Sequence, residues 1–491
     1  MISHSVCSST PFSVELDICR GCVTIKRVQE DRGQDASDEN SNGRGDGRPG
    51  WQRNLWAIWF AELVAIVGFA VVIPLLPLYV RDLGVEGEQQ VAIWSGAVFS
   101  AQAVTMAIFG PIWGALSDRY GRKVMVERAM FGGTVIMALM GLAQSPFQLV
   151  ALRAIQGGLT GTVTAARALV ATTAPKDRAG YALGMLQMAV YIGATAGPSL
   201  GGVIADTVGY RQAFFVTSGL LLIAAVAVVI FVREPPRPAQ AAVNPDSARG
   251  EGTATLRSQA LNHLSPVLHS APILAVLGVG MLVQSAARMA QPTFPLFVET
   301  VAPAGARVAT ITGLIIGAGA VGGAIGGWRL GALGDRVGYR VVMISCAFAS
   351  VVFYVPQSLV PTWIWLVPLQ LGAGFSMGGM LASIGASLAT LSPDGREGLV
   401  YGVEATAVSI AKAVGPAAGS VTAAWFGLWT PFVAAALVFG LGGMVALERL
   451  PDLRARESPG NTGARERTET AVGTRCDAPS RCRKARETGR P

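Results

Sequence analysis

Gly114-Ala115-Leu116-Ser117-Asp118-Arg119-Tyr120-Gly121-Arg122-Lys123 closes an apolar run of membrane-spanning length, and a degenerate copy, Gly331-Ala332-Leu333-Gly334-Asp335-Arg336-Val337-Gly338-Tyr339-Arg340, closes another 217 residues later. The copy belongs to a larger repeat. Ile73-Pro74-Leu75-Leu76-Pro77-Leu78-Tyr79-Val80 returns as Gln291-Pro292-Thr293-Phe294-Pro295-Leu296-Phe297-Val298 at an offset of 218. The same offset carries Pro175, Arg178, Gly180, Gly184, Gly197 and Pro198 onto Pro393, Arg396, Gly398, Gly402, Gly415 and Pro416. Anchors spread over most of a half-chain do not share one offset by accident, so the chain is read as two parallel repeats.

Each repeat is built of membrane spans. With 491 residues, 51% hydrophobic and only 14% charged, 60 glycines and a mean hydropathy of +0.46, the chain holds more apolar residues than one soluble core buries. Runs of roughly 20 apolar residues recur, each long enough for a helix to cross a ~30 Å hydrocarbon layer. They fall at about 54–80, 91–113, 124–143, 147–170, 179–203, 210–232, 272–298, 308–330, 341–360, 362–390, 397–424 and 429–449. The expectation is an all-α integral membrane protein of twelve spanning helices in two six-helix halves, 54–232 and 272–450, joined by a cytoplasmic linker over 233–271.

Basic residues set the orientation. Loops on one side carry Arg119, Arg122, Lys123, Arg128, Lys176, Arg178, Arg233, Arg237, Arg249, Arg257, Arg336, Arg340 and Arg396, whereas the other side offers little beyond Arg81, Arg211 and Arg307. Both termini are therefore expected in the cytoplasm, in a plasma (inner) membrane, and the net charge of +8 follows from topology without nucleic acid. The polar segment 1–53 and the Arg-rich segment 451–491 are expected to be disordered, being too poor in apolar residues to fold alone. No h-region opens the chain, so no cleavable signal is expected.

Several motifs are set aside. Cys19-Arg20-Gly21-Cys22 has metal-like spacing, but a zinc site needs four ligands held by a fold, and Cys7, Cys476 and Cys482 lie in the tails. Arg44-Gly45-Asp46 is an adhesion tripeptide on a cytoplasmic tail. Gly317-x-Gly319-x-x-Gly322 imitates a dinucleotide fingerprint without its strand or βαβ unit, so helix packing is the expected role. No cofactor or metal is expected, and no catalysis. The three histidines, His4, His263 and His269, lie outside the spans, and no nucleophile is paired with a base. Without an ATP-binding motif, transport would run on an ion gradient.

The loop at 114–123 has its own physical content. Gly114 is expected where two helices approach closely, Gly121 permits a tight turn, and Asp118 is placed near a helix start where negative charge is favoured. Loop and copy together resemble the signature loop of the major facilitator superfamily, over roughly residues 54–450. By that resemblance Asp118 and Arg119, with Gly114, Gly121, Arg122 and Lys123 and the matching Asp335, Arg336 and Gly338, form a switch that must rearrange between outward- and inward-facing states. In the fifth span, Gly193, Gly197 and Gly201 recur every four residues, with Pro198 and Gly202 beside them. That string is similar to the motif marking the drug:proton antiporter branch and implies an exporter.

Ionisable groups at membrane depth persist for a reason. Five are deep: Glu62, Arg153, Arg288, Glu404 and Lys412, while Arg167 lies nearer the end of span 4, where it can snorkel. Arg153 resembles the fourth-helix arginine that drug antiporters associate with proton coupling, and Glu62 lies where related exporters place an embedded acid. The expectation is that Glu62 binds the proton and helps select cationic or polar parts of the substrate, changes in its solvation or in a nearby guanidinium loading and releasing that proton. Helix rise leaves about 9 Å of depth between Glu62 and Arg153, which favours sequential carriers over a fixed pair. Glu404 and Lys412 are about 80° and ~12 Å apart on one helix and should not touch. Arg288 is a candidate partner for Glu404.

These readings favour a proton-coupled exporter of small amphipathic compounds such as drugs, acting as a monomer in the lipid bilayer through alternating access. The tract from Pro74 to Val85, with Trp94-Ser95-Gly96, resembles bacterial multidrug exporters. A proton symporter or uniporter of sugars or organic acids would share the fold. A channel or receptor is the reading from another class.

Overall fold

The computed structural model describes residues 14–19, 22–27, 51–159, 161–175, 178–233, 270–392 and 397–451. The expected linker, apart from its ends, the Arg-rich tail, all three histidines, Cys7, Cys476, Cys482 and Arg44-Gly45-Asp46 lie outside the described residues.

Residues Met1–Pro49 form a unit by themselves. Its described residues are two strands, β1 (Val14–Cys19) and β2 (Cys22–Arg27), which pair antiparallel, with Leu16 opposite Ile25 and Ile18 opposite Val23. Val14, Leu16, Ile18, Val23 and Ile25 alternate with polar residues, and that period of two was overlooked. Cys19 and Cys22 are register partners.

The remainder is helical, and each break has a local cause. Span 1 comprises α1 (Trp51–Val72), a 3-10 turn at Ile73–Leu75 and α2 (Leu76–Asp82), because Pro74 and Pro77 remove backbone donors. Spans 2 and 3 are α3 (Glu88–Tyr120) and α4 (Arg122–Gly141). Span 4 is split into α5 (Pro146–Leu159) and α6 (Thr162–Thr173) before Gly161, whose φ of 140° no other residue adopts comfortably. Spans 5 and 6 are α7 (Ala179–Val208) and α8 (Tyr210–Phe231).

The second half mirrors the first. Span 7 divides into α9 (Ala271–Met289) and α10 (Phe294–Val301) around Gln291-Pro292. Spans 8 to 12 are α11 (Val308–Val337), α12 (Tyr339–Gln357), α13 (Leu366–Leu391), α14 (Glu397–Phe426) and α15 (Thr430–Arg449). Ten of the described helical units are long and apolar enough to cross a membrane by composition alone. The two that fall short are span 4, broken and bearing Arg153 and Arg167, and span 11, bearing Glu404 and Lys412. Large apolar side chains such as Phe147, Ile223, Val352 and Leu437 point outward, as expected where lipid is the solvent.

Within each half, neighbouring spans pack tightly: α1 on α7 and α8, α4 on α8, α9 on α14 and α15, and α11 on α13. The α11–α13 contact is a glycine seam. A side chain at Gly322 or Gly326 would strike the backbone of Leu371 or Phe375, which gives the fingerprint-like glycines their packing role.

The halves meet through α7 on α11 and α3 on α14, and their contacts gather at one end. There Asp206 accepts from the Thr310 backbone N–H and hydroxyl, both at 2.7 Å, and Ser199 Oγ donates to Gly313 O at 3.2 Å. Ser100 Oγ donates to Ala413 O at 2.8 Å, and Arg81 pairs with Glu299 at 2.6 Å. Arg81 and Glu299 are 218 residues apart, equivalent positions of the two repeats. At the opposite end, which bears the 114–123 loop, a side chain at Gly110, Gly114, Gly180, Gly184 or Gly402 would meet nothing within 4 Å. Among the described residues, these hydrogen bonds between the halves all lie towards one end.

Candidate transport site

A cavity of about 170 Å³ lies between the halves, below the Ser100–Ala413 contact. Span 1 contributes Ile73, span 2 Phe99, Gln102 and Met106, span 4 Arg153, span 7 Arg288 and Gln291, and span 11 Lys412 and Pro416. Ile73 and Gln291 are repeat equivalents at helix breaks, so the interrupted backbone of spans 1 and 7 faces the site, as in other transporters built from discontinuous helices.

Arg153 is 4% exposed and donates to Gln102 Oε1 at 2.9 Å and Gln156 Oε1 at 2.8 Å. Its guanidinium stands 5.9 Å from the centroid of the Phe99 ring. Span 2 approaches span 4 this closely because Gly157 faces Gln102 O and Thr105 Oγ1 without a side chain. Arg288 donates to the Gln284 side chain at 2.7 Å and to its carbonyl at 3.3 Å. Gly415 lies against Ser285 O and brings Lys412 to the same cavity.

The expected partnerships change. Arg288 does not pair with Glu404; Gln284 takes its bonds, and Glu404 lines a separate small cavity with Gln284, Met281 and Ile384. Glu404 and Lys412 thus line different cavities. Glu62 is fully buried and lies outside the central cavity's lining, near Thr162 and within electrostatic reach of Arg167. Neither of its oxygens accepts a hydrogen bond. Arg167, set aside as a snorkelling residue, also donates to Gln187. Side-chain direction around a nearly all-apolar helix decides these pairings, and hydropathy does not report it.

In the loop, Asp118 and Arg119 occupy the last turn of α3, just before α4 begins, and Asp335 and Arg336 the last turn of α11, just before α12 begins. Gly121 (φ 111°) and Gly338 (φ 100°) each reverse the chain in a single residue, which leaves no room for an intervening cap. Among the described residues, a side chain at Gly114 would meet nothing within 4 Å, so the close helix approach expected there is not seen. Arg122 donates to Ala168 O at 2.9 Å and Lys123 to Val229 O at 3.0 Å, tying the loop to spans 4 and 6. Asp335 accepts from Tyr339 Oη at 2.8 Å.

In span 5, Gly193, Gly197 and Gly201 face Ile66, Val67, Ala70 and Val71 of span 1. Gly202, one residue round the helix, faces Ala309 and Thr310 of the other half, and Pro198 O lies against Gly313. Gln102, Gln156, Gln284 and Gln291 were missed because only charged residues were sought; a scan for amides in apolar runs would have found them.

Residues 58–330 and 309–475 match the family model described as the Major Facilitator Superfamily. The chain is 35% identical over 388 residues to the "Multidrug resistance protein MdtG" of Enterobacter lignolyticus (strain SCF1), covering 79% of this chain and 90% of that protein. It is 34% identical over 389 residues to the same-named protein of Serratia proteamaculans (strain 568), covering 79% and 91%. Among solved structures, an inward-facing, unoccupied bacterial homologue of the human lysosomal transporter Spinster aligns with a TM-score of 0.64 at 15% identity, over 84% of this chain and all of that one. A point mutant of the nucleoside transporter NupG aligns at 0.62 and 11% identity, over 80% and 100%.

Proposed function

The chain belongs to the Major Facilitator Superfamily, and on that footing we propose that it is a proton-coupled exporter of small amphipathic compounds, working by alternating access. The observation that carries the reading is the central cavity between two repeat-related halves, whose described hydrogen bonds gather towards one end, in a multi-pass membrane protein whose relatives are named for multidrug resistance. The excess of basic residues in one set of loops supports cytoplasmic termini in a plasma (inner) membrane, with the 114–123 loop on the same side.

Glu62 is the proton carrier in this reading. A buried carboxyl without hydrogen bonds is tolerated either with a proton or with a cation held close, and Arg167 is the cation within electrostatic reach of it. A shift of α6 against α1 within the first half, coupled to the rocking of the halves, exchanges one condition for the other and releases a proton. Arg153, Arg288 and Lys412 form the substrate end of the machine. Span 5 is the joint, gripping span 1 with three glycines and touching span 8 with a fourth.

The test uses inside-out membrane vesicles with an imposed acid interior. A dansylated amphiphile should accumulate against its gradient and leak out when a protonophore is added. Accumulation that survives the protonophore contradicts proton coupling, and equilibration without accumulation favours a uniporter.

A further inference from the structure

The lining of the central cavity is cationic and, among the described residues, contains no carboxylate. Arg153 enters from one half, Arg288 and Lys412 from the other. The acceptors that Arg153 meets, the Gln102 and Gln156 amide oxygens, are neutral, and Arg288 likewise is held by Gln284. Amide oxygens orient a guanidinium without cancelling its charge. Arg153 Nε and Gln156 Nε2 are buried donors without acceptors. Lys412 and Arg288 also feel each other's like charge.

Buried cations are costly unless an opposite charge accompanies them. The two deep acids do not supply it, since Glu62 faces α6 and Glu404 opens on another cavity. Arg153 is buried and Arg288 and Lys412 are half-buried, so an occupant that displaces water from the cavity must itself bring the countercharge. Phe99, Met106 and Ile73 add an apolar wall, and a guanidinium fork with a buried amide beside it fits a planar or tetrahedral oxyanion.

Resting on the exporter reading above, we propose that the transported compounds are organic anions, amphiphiles whose carboxylate, sulfonate or phosphonate group sits among Arg153, Arg288 and Lys412 while the apolar body lies against Phe99 and Met106. Because the cations come from both halves, the anion also bridges them. A lipophilic cation of the same size is repelled.

The experiment measures equilibrium binding to the full chain in nanodiscs without any gradient, using three probes that share one fluorophore: dansylglycine (anionic), dansylglycinamide (neutral) and dansyl-ethylenediamine (cationic). Dansylglycine should bind about tenfold more tightly than the amide, with the cation weakest. That anion-to-neutral ratio should fall towards one in Lys412→Gln and in Arg288→Gln. Should a variant not fold, displacement from the native protein by octanesulfonate, octanol and octylammonium reads the same preference. Cation binding as tight as anion binding, or a ratio unchanged in both variants, overturns the proposal. Anion selectivity without gradient-driven movement would sink the exporter reading alone, and gradient-driven movement of the cationic probe without anion selectivity would sink this inference alone.

Discussion

Glu62 is fully buried with neither carboxyl oxygen hydrogen-bonded, and Arg167 is the cation within electrostatic reach of it. Removing that cation should weaken coupling more than folding. Arg167→Gln is expected to lower gradient-driven uptake about tenfold, in keeping with coupling free energies of ~1–3 kcal/mol, and to flatten its dependence on the imposed gradient. An unchanged slope would reduce Arg167 to a headgroup contact. A purely structural residue gives a contrast. Tyr79 Oη donates to Met140 O at 3.0 Å and to Ala143 O at 3.3 Å, with its ring 4.9 Å from that of Phe214. Tyr79→Phe should cost about 1 kcal/mol, seen as a lower thermal midpoint in detergent, and leave transport intact. The five deep charges were legible because such residues stand out in apolar runs. Their partners were not, because a rotation of one helix by 100° exchanges a cavity for a packed interface without altering hydropathy.

Span 5 shows what element-level patterning can and cannot report. The spacing of Gly193, Gly197 and Gly201 announces one close-packed face, and that face is filled by span 1. The separate role of Gly202, where any Cβ would overlap Ala309 O of the other half, depends on the relation between halves. Gly202→Leu should therefore oppose closure of this end, since overpacking of this kind costs about 1–3 kcal/mol. Spin labels at Gly180→Cys and Leu333→Cys, at the opposite end, should move closer in the variant. An unaltered distance distribution would deny Gly202 a part in the seal. Span limits were readable to within a few residues because hydropathy marks them, but α3 and α11 run on beyond the apolar run to Tyr120 and Val337. The split of span 4 at Gly161 was not readable, because a lone glycine in a helical run is equally a packing residue.

At the scale of the molecule, the repeat explains both the two halves and the way they meet. Arg81 and Glu299, equivalent positions, face each other at the end where the halves meet, yet their side chains are 40% and 41% exposed. Such pairs contribute at most about 1 kcal/mol, so Glu299→Gln should change transport by less than about fivefold, less than Gly202→Leu does. A larger loss would make the ion pair, not the glycine contact, the latch. The most direct test of the whole account is proton movement in proteoliposomes under an imposed pH gradient, challenged with amphipathic anions, neutral compounds and lipophilic cations, in the native protein and in Glu62→Gln. The account predicts substrate-dependent proton release by the native protein that disappears in the variant although the variant still binds substrate. Undiminished proton release by Glu62→Gln, or none from the native protein with any compound it binds, would contradict it.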